Sequence, residues 1–293
     1  MNRTPEPNRR SVILVGATGY IGRYVLGELM VRGYYVTTLG RSKAQDENAL
    51  YHHIPVDVCD DSAVTALAGQ LPKNAAFISC LGSKTGGRRD AWAVEYGANQ
   101  SLLNLAKTMH AKQFVLLSAI CVQKPRLEFQ FAKRSFEDNL IVSGMPYSVV
   151  RPTAYFKSLA GQIDNVKNGK AFLMFDTGER TACKPISAQD LSDYICDCLE
   201  NSERRNKILP IGGPGPSMTP VEQGEILFRL LNKKPKFTRI PSSTFIAIST
   251  IMAPLAIISE KISDLREFVH IGHYYATESM LVWDETSQKY SSD

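Results

Sequence analysis

The sequence predicts an α/β fold: a Rossmann-like doubly wound parallel sheet with helices on both faces and a smaller C-terminal substrate-binding portion. Three observations predict it. An apolar run at 11–15 (SVILV) ends in a glycine-spaced turn that opens an amphipathic helix. Strand and helix patterns then alternate to about residue 153. Beyond that point the alternation loosens, and glycine and proline crowd residues 212–220 (GGPGPSMTP).

The first helix places Ile21, Val25, Leu29 and Met30 on one face, and Gly33 suits its C-terminal cap. A strand over 35–39 completes a βαβ unit. Further strands are expected over 75–80, 113–118 and 147–150, with helices over 95–110, 131–143 and 221–231. With 293 residues, the natural division is a nucleotide domain over 11–155 and a mainly substrate-binding portion over 156–293 that could return to the sheet. Residues 1–10 read as a flexible terminus.

Composition excludes several classes. Hydrophobic residues make up 44% and charged residues 22%, as in ordinary globular chains. The net charge of +5 favours small anionic ligands, but no dense cluster of Lys and Arg interleaved with aromatics marks nucleic-acid binding. The six cysteines include no CxxC pair and no histidine at zinc spacing, so they read as reduced thiols of a cytoplasmic protein. No secretory signal or transit peptide is legible, and the apolar stretch 245–259 is too short to span a bilayer. That stretch is open to three readings: helix core, a cap over a greasy substrate, or peripheral contact with a membrane. His270 and His273 could ligate a magnesium ion carried by a substrate, but histidines near a chain end are more often structural, and no metal site is expected.

Gly16-Ala-Thr-Gly19-Tyr-Ile-Gly22 has the context of a dinucleotide fingerprint, between a buried strand and a helix. The first glycine permits the tight turn, the second lets backbone approach a pyrophosphate, and the third lets helix and strand pack closely. The helix N-terminus favours the phosphate charge. Thr18, Tyr20 and Ile21 therefore join these glycines as cofactor-binding candidates. The next strand ends in Arg41-Ser42-Lys43, with no acid for a ribose 2′-hydroxyl. Those cations suit a 2′-phosphate, so NADPH is the expected cofactor.

The spacing GxxGxxG resembles extended and atypical short-chain dehydrogenases/reductases. That resemblance implies an adenine-edge contact at Asp57 and Val58, although Asp57 could equally be a helix cap or turn residue. It implies a loop under the nicotinamide ribose at Cys80, Leu81 and Gly82, with Ser118 at the end of its strand. The family's Tyr-x-x-x-Lys stands here as Phe129-Gln-Phe-Ala-Lys133: the lysine is kept and the phenol is lost. Without the tyrosine, alcohol–ketone chemistry lacks its acid/base. Lys133 is expected to hold the nicotinamide ribose and, as a catalytic candidate, could also aid proton delivery, with a salt-bridged structural lysine as the alternative.

A more specific likeness lies in several longer words. They are Leu117-Ser-Ala-Ile-Cys-Val-Gln-Lys-Pro125, Leu127-Glu-Phe-Gln130, Val150-Arg-Pro-Thr-Ala-Tyr-Phe-Lys-Ser158, Lys184-Pro-Ile-Ser187, Leu209-Pro-Ile-Gly-Gly-Pro214, Glu222-Gln-Gly-Glu-Ile-Leu-Phe-Arg229 and Tyr275-Ala-Thr-Glu-Ser-Met-Leu281. Together they resemble the NADPH-dependent divinyl chlorophyllide a 8-vinyl reductase family from the first strand nearly to the chain end. The resemblance implies reduction of the C8 vinyl group of a magnesium tetrapyrrole, divinyl chlorophyllide or protochlorophyllide, to ethyl. Such a reaction needs no oxyanion acid, in keeping with the lost tyrosine, and asks mainly for orientation in a water-poor pocket. It also implies that Pro152 and Thr153 hold the nicotinamide side; Tyr155 and Phe156 could pack on the macrocycle, with plain core as the alternative. Tyr155 and Tyr96 are alternative proton donors, and Lys84, Arg88 and Arg89 are candidate partners of the propionate. Two other readings stay open: a non-catalytic NADP(H)-binding regulator or assembly factor, and a reductase of a small aromatic alkene.

Overall fold

The structure, a computed structural model, describes residues 10–41 and 50–291. In chain order its strands are β1 (Ser11–Val15), β2 (Tyr35–Gly40), β3 (Tyr51–Pro55), β4 (Ala76–Ser79), β5 (Phe114–Leu117), β6 (Tyr147–Pro152), β7 (Phe172–Phe175), β8 (Lys207–Ile211), β9 (Phe237–Ile240), β10 (Trp283–Asp284) and β11 (Lys289–Tyr290). The helices are α1 (Tyr20–Val31), α2 (Asp61–Thr65), α3 (Arg88–Ala91), α4 (Asn99–Thr108), α5 (Glu128–Val142), α6 (Phe156–Leu159), α7 (Ile163–Lys167), α8 (Ala188–Asp197), α9 (Pro220–Leu230), α10 (Ser243–Ala256) and α11 (Glu260–Thr277).

Seven strands form one sheet in the order β3-β2-β1-β4-β5-β6-β8, and every pairing is parallel. Alternation along each strand sends successive side chains to opposite faces. Ile13, Val15, Phe77, Phe114 and Val149 pack under α4 and α5, whereas Val12, Leu14, Ile78, Val115 and Val150 pack under α1 and α8. Burial on both faces explains why these strands read as unbroken apolar runs.

The sheet does not end near residue 155. α8 returns to pack on α1, and β8 pairs with β6 from Ser148↔Lys207 to Pro152↔Ile211. Pro210 sits within β8, where the edge position tolerates its missing N–H. β3 escapes the sequence pattern because its residues, YHHIP, mix polar and apolar side chains on the opposite edge. The rest of the C-terminal portion holds the β7–β9 parallel pair and the mutually packed helices α10 and α11. α10 covers most of the apolar stretch at 245–259, starting at Ser243, ending at Ala256 and carrying Pro254 inside it.

Candidate functional site

The sheet order reverses between β1 and β4, so a crevice opens beyond their carboxyl ends. Gly16 leaves β1 with φ +83°, and a Cβ there would stand 2.5 Å from the Cys80 carbonyl oxygen. A Cβ on Gly22 would stand 2.0 Å from the Gly16 oxygen. Gly19 caps α1 without any side-chain hydrogen bond, leaving first-turn N–H groups unclaimed by a cap. A backbone cradle at a helix N-terminus fits a pyrophosphate. At the other end of the site the Ser118 hydroxyl is buried and finds no hydrogen-bond partner among the described residues, as a cofactor-facing group would.

Arg41 follows β2 directly and is exposed. Ser42 and Lys43, expected beside it, lie outside the described residues. Asp57 is a turn residue: its Oδ1 accepts the Cys59 N–H at 3.1 Å, while the cap of α2 is Asp60. Val58 is buried in the core.

Lys133 on α5 extends its Nζ to 2.7 Å from Glu95 Oε2, with the two side chains only 13% and 2% exposed. The other Glu95 oxygen accepts the Ser83 N–H at 2.7 Å and the Ser83 hydroxyl at 3.0 Å. The carboxylate thus ties Lys133 to the loop that follows β4. Glu95 lies in a π-helical segment, Trp92–Ala98, that leads into α4. A wider turn of this kind shifts side-chain register and often occurs at functional sites. The sequence pattern gives 95–110 as a plain helix and does not single out Glu95, although a lone acid among apolar neighbours was the available signal.

Phe129 occupies the position of the lost phenol and packs in an apolar cluster with Ile120, Cys121 and Tyr274. Beside that cluster, beyond β5 and β6, lies a cavity of about 470 Å³ walled by Cys121, Pro152, Thr153, Tyr155, Tyr275 and Met280, among others. A second cavity of about 200 Å³ continues it, sharing Ser158, Leu159, Thr181 and Tyr275. Together they form a mostly apolar trough within the usual size range of small-molecule sites. Burial pushes the Tyr155 phenol up, helped by nearby Cys80, Cys121 and Glu95. Burial also raises Tyr275, beside Cys121, Tyr274 and Tyr155, the Cys121 thiol to about 11 and the Cys80 thiol to about 12. Both phenols therefore stay protonated at neutral pH.

The other expected residues fall elsewhere. Tyr96 packs against the opposite face of the sheet, where its hydroxyl accepts the Asn139 amide at 2.8 Å, so it does not reach the trough. Arg89 pairs with Glu260 at 2.8 Å and Arg88 lies 3.9 Å from Glu128. Lys84 sits in a loop folded by Asp90, and Gly86 and Gly87 let that loop nest against Ile271 and Asp264 of α11. These three cations thus lie at the α5–α11 edge and line neither cavity. Phe156 is exposed beside Tyr155. Arg151, next to Pro152, turns its guanidinium to buried Glu137 on α5. His270 bonds the Ser249 hydroxyl at 2.5 Å, and the His273 ring lies 6.4 Å from that of Phe245.

Residues 16–202 match the family model described as NAD(P)H-binding. The chain is 46% identical over 308 residues to the maize chloroplastic divinyl chlorophyllide a 8-vinyl-reductase, covering 99% of this chain and 77% of that one. The photosystem II assembly factor Ycf39 of Cyanophora paradoxa is 23% identical, over 79% of this chain and 72% of that one. A nucleoside-diphosphate-sugar epimerase from Staphylococcus aureus shares the fold, with a TM-score of 0.67 at 15% identity and 91% of each chain covered.

Proposed function

From the premise that this chain belongs to the divinyl chlorophyllide a 8-vinyl reductase family, we propose how its residues carry out the family reaction. The protein is an NADPH-dependent oxidoreductase that reduces the C8 vinyl group of divinyl (proto)chlorophyllide to ethyl in chlorophyll biosynthesis. The observation that carries the mechanism is the apolar trough opening directly beside the nucleotide crevice, with Pro152 to Tyr155 on its wall. Bound NADPH supplies the hydride.

Gly16, Gly19 and Gly22 cradle the pyrophosphate, joined by the backbone of Thr18, Tyr20 and Ile21 at the start of α1. Arg41, with Ser42 and Lys43 next in sequence, meets the 2′-phosphate, and Asp57 and Val58 border the adenine. Cys80, Leu81 and Gly82 run under the nicotinamide ribose, which Lys133 holds from its anchored position. Ser118, Pro152 and Thr153 line the nicotinamide side. Tyr155 keeps a proton at its Oη for the vinyl carbon next to the macrocycle. Leu159, Tyr275 and Met280 exclude water from the trough.

The curated relatives of the family are chloroplastic, and no helix among the described residues is long and apolar enough to cross a membrane. Peripheral contact is supported by the junction of α10 and α11, where Ile257 and Ile258 are 88% and 86% exposed. The assembly-factor reading has weaker support, at 23% identity against 46%.

Anaerobic incubation with NADPH and divinyl chlorophyllide a, followed by chromatography, tests the reading. A monovinyl product with a blue-shifted Soret band is expected with NADPH but not with NADH, and Tyr155→Phe should slow its formation. Tight NADPH binding without product from chlorophyllide or protochlorophyllide would favour the regulator instead.

A further inference from the structure

The two ends of the trough differ in charge. The end at β6 is walled by Pro152, Thr153, Tyr155 and other uncharged groups together with the Glu278 carboxylate, which Lys124 and Arg126 neutralise from outside the cavity. The far end, at β7 and the loop after it, carries Arg180, the one cation among the described residues that line either cavity. Arg180 is 56% exposed, and its nearest carboxylate oxygen, on Asp176, is 4.0 Å away. The other Asp176 oxygen is already taken by the Ser242 N–H at 2.9 Å. No described group accepts a hydrogen bond from the Arg180 guanidinium at bonding distance, so its planar fork is available to a ligand.

The substrate has a matching polarity. Divinyl chlorophyllide and protochlorophyllide carry the C8 vinyl group on one pyrrole ring and a single free propionate on the ring diametrically across the macrocycle. With the vinyl held at the β6 end, as the proposed function requires, the propionate is directed toward the β7 end. We propose that Arg180 binds this propionate carboxylate and so selects the one in-plane orientation that presents the C8 vinyl group to the nicotinamide. The apolar surfaces of Leu159, Met174 and Tyr275 between the two ends suit the macrocycle face. This inference rests on the 8-vinyl reductase reading. It assigns to Arg180 the part that sequence had given to Lys84, Arg88 and Arg89.

The test compares divinyl chlorophyllide a with its propionate methyl ester, on the wild type, Arg180→Gln and Arg180→Lys. Binding is followed by quenching of chlorin fluorescence with NADP⁺ present, and turnover by chromatography with NADPH. The wild type should bind the free acid about tenfold or more tightly than the ester, the scale of one charge-assisted pair. R180Q should bind acid and ester alike, and R180K should restore part of the preference. A wild type without preference, or R180Q that keeps it, overturns the assignment while leaving the reductase reading in place. Absence of turnover on both forms overturns the reductase reading, and the binding comparison still decides whether Arg180 reads a carboxylate.

Discussion

Lys133 and Glu95 form a buried ion pair at 2.7 Å, joining α5 to the π-helical segment that follows the loop after β4. Removing one member of such a pair strands an uncompensated charge, which costs about 3–5 kcal/mol. Lys133→Met should therefore lower the melting temperature strongly, and Lys133→Met with Glu95→Gln should recover much of that loss. NADPH affinity should fall in both variants, because each lacks the ribose contact proposed for Lys133. Thermal melts and NADPH fluorescence titrations separate the two effects. Recovery of cofactor affinity in the double variant would show that Lys133 serves stability alone.

Gly22 has no room for a side chain, since its Cβ would meet the Gly16 oxygen at 2.0 Å, whereas Gly27 on the same helix has open space. Gly22→Ala should destabilise the protein by about 1–3 kcal/mol, as overpacking does, and weaken NADPH binding. Gly27→Ala should be neutral or stabilising by roughly 0.5–1 kcal/mol, as for any helix-interior glycine. Equal melting temperatures for the two variants would refute the cradle geometry.

Glu278 caps the C-terminus of α11 on the trough wall, with Oε2 3.2 Å from Lys124 and Oε1 2.9 Å from Arg126, and it also accepts the Tyr290 hydroxyl. Burial works against its charge, but the bonds from Tyr290 and Lys124 and the charges of Arg126 and Lys124 prevail and lower its pKa. A depressed carboxylate contributes stability that is present above its unfolded pKa and is lost as pH falls through the folded one. Wild-type stability should thus drop on acidification below the ordinary glutamate range, and Glu278→Gln should flatten that part of the profile. Parallel acid profiles for the two proteins would exclude Glu278 as a contributor.

The α10–α11 junction offers a separate test. Replacing Ile257 and Ile258 with aspartate should reduce co-sedimentation with phosphatidylglycerol–phosphatidylcholine vesicles tenfold or more, since each buried isoleucine contributes on the order of 2 kcal/mol. Reductase activity on dispersed substrate should persist. Equal sedimentation of variant and wild type would place the membrane contact elsewhere or nowhere.

What the sequence determined by itself is the nucleotide half of the protein. Strand burial, helix periodicity and glycine spacing are local properties, so β1, α1 and β2 and the cradle between them are legible from residues 11–40 alone. The lost phenol at Phe129 and the missing acid after β2 are equally local. The tertiary structure decided everything that depends on where a side chain points. A π-helical turn sent Glu95 to Lys133 and Tyr96 to the opposite face. Return of α8 and β8 to the sheet, and the fold of α11 over it, put Tyr155 and Tyr275 on one wall although 120 positions of sequence separate them. The fold set Arg88 and Arg89 beside Glu128 and Glu260, outside both cavities, leaving Arg180 as the cation of the trough among the described residues. Such pairings join residues far apart in the chain, and no local periodicity encodes them.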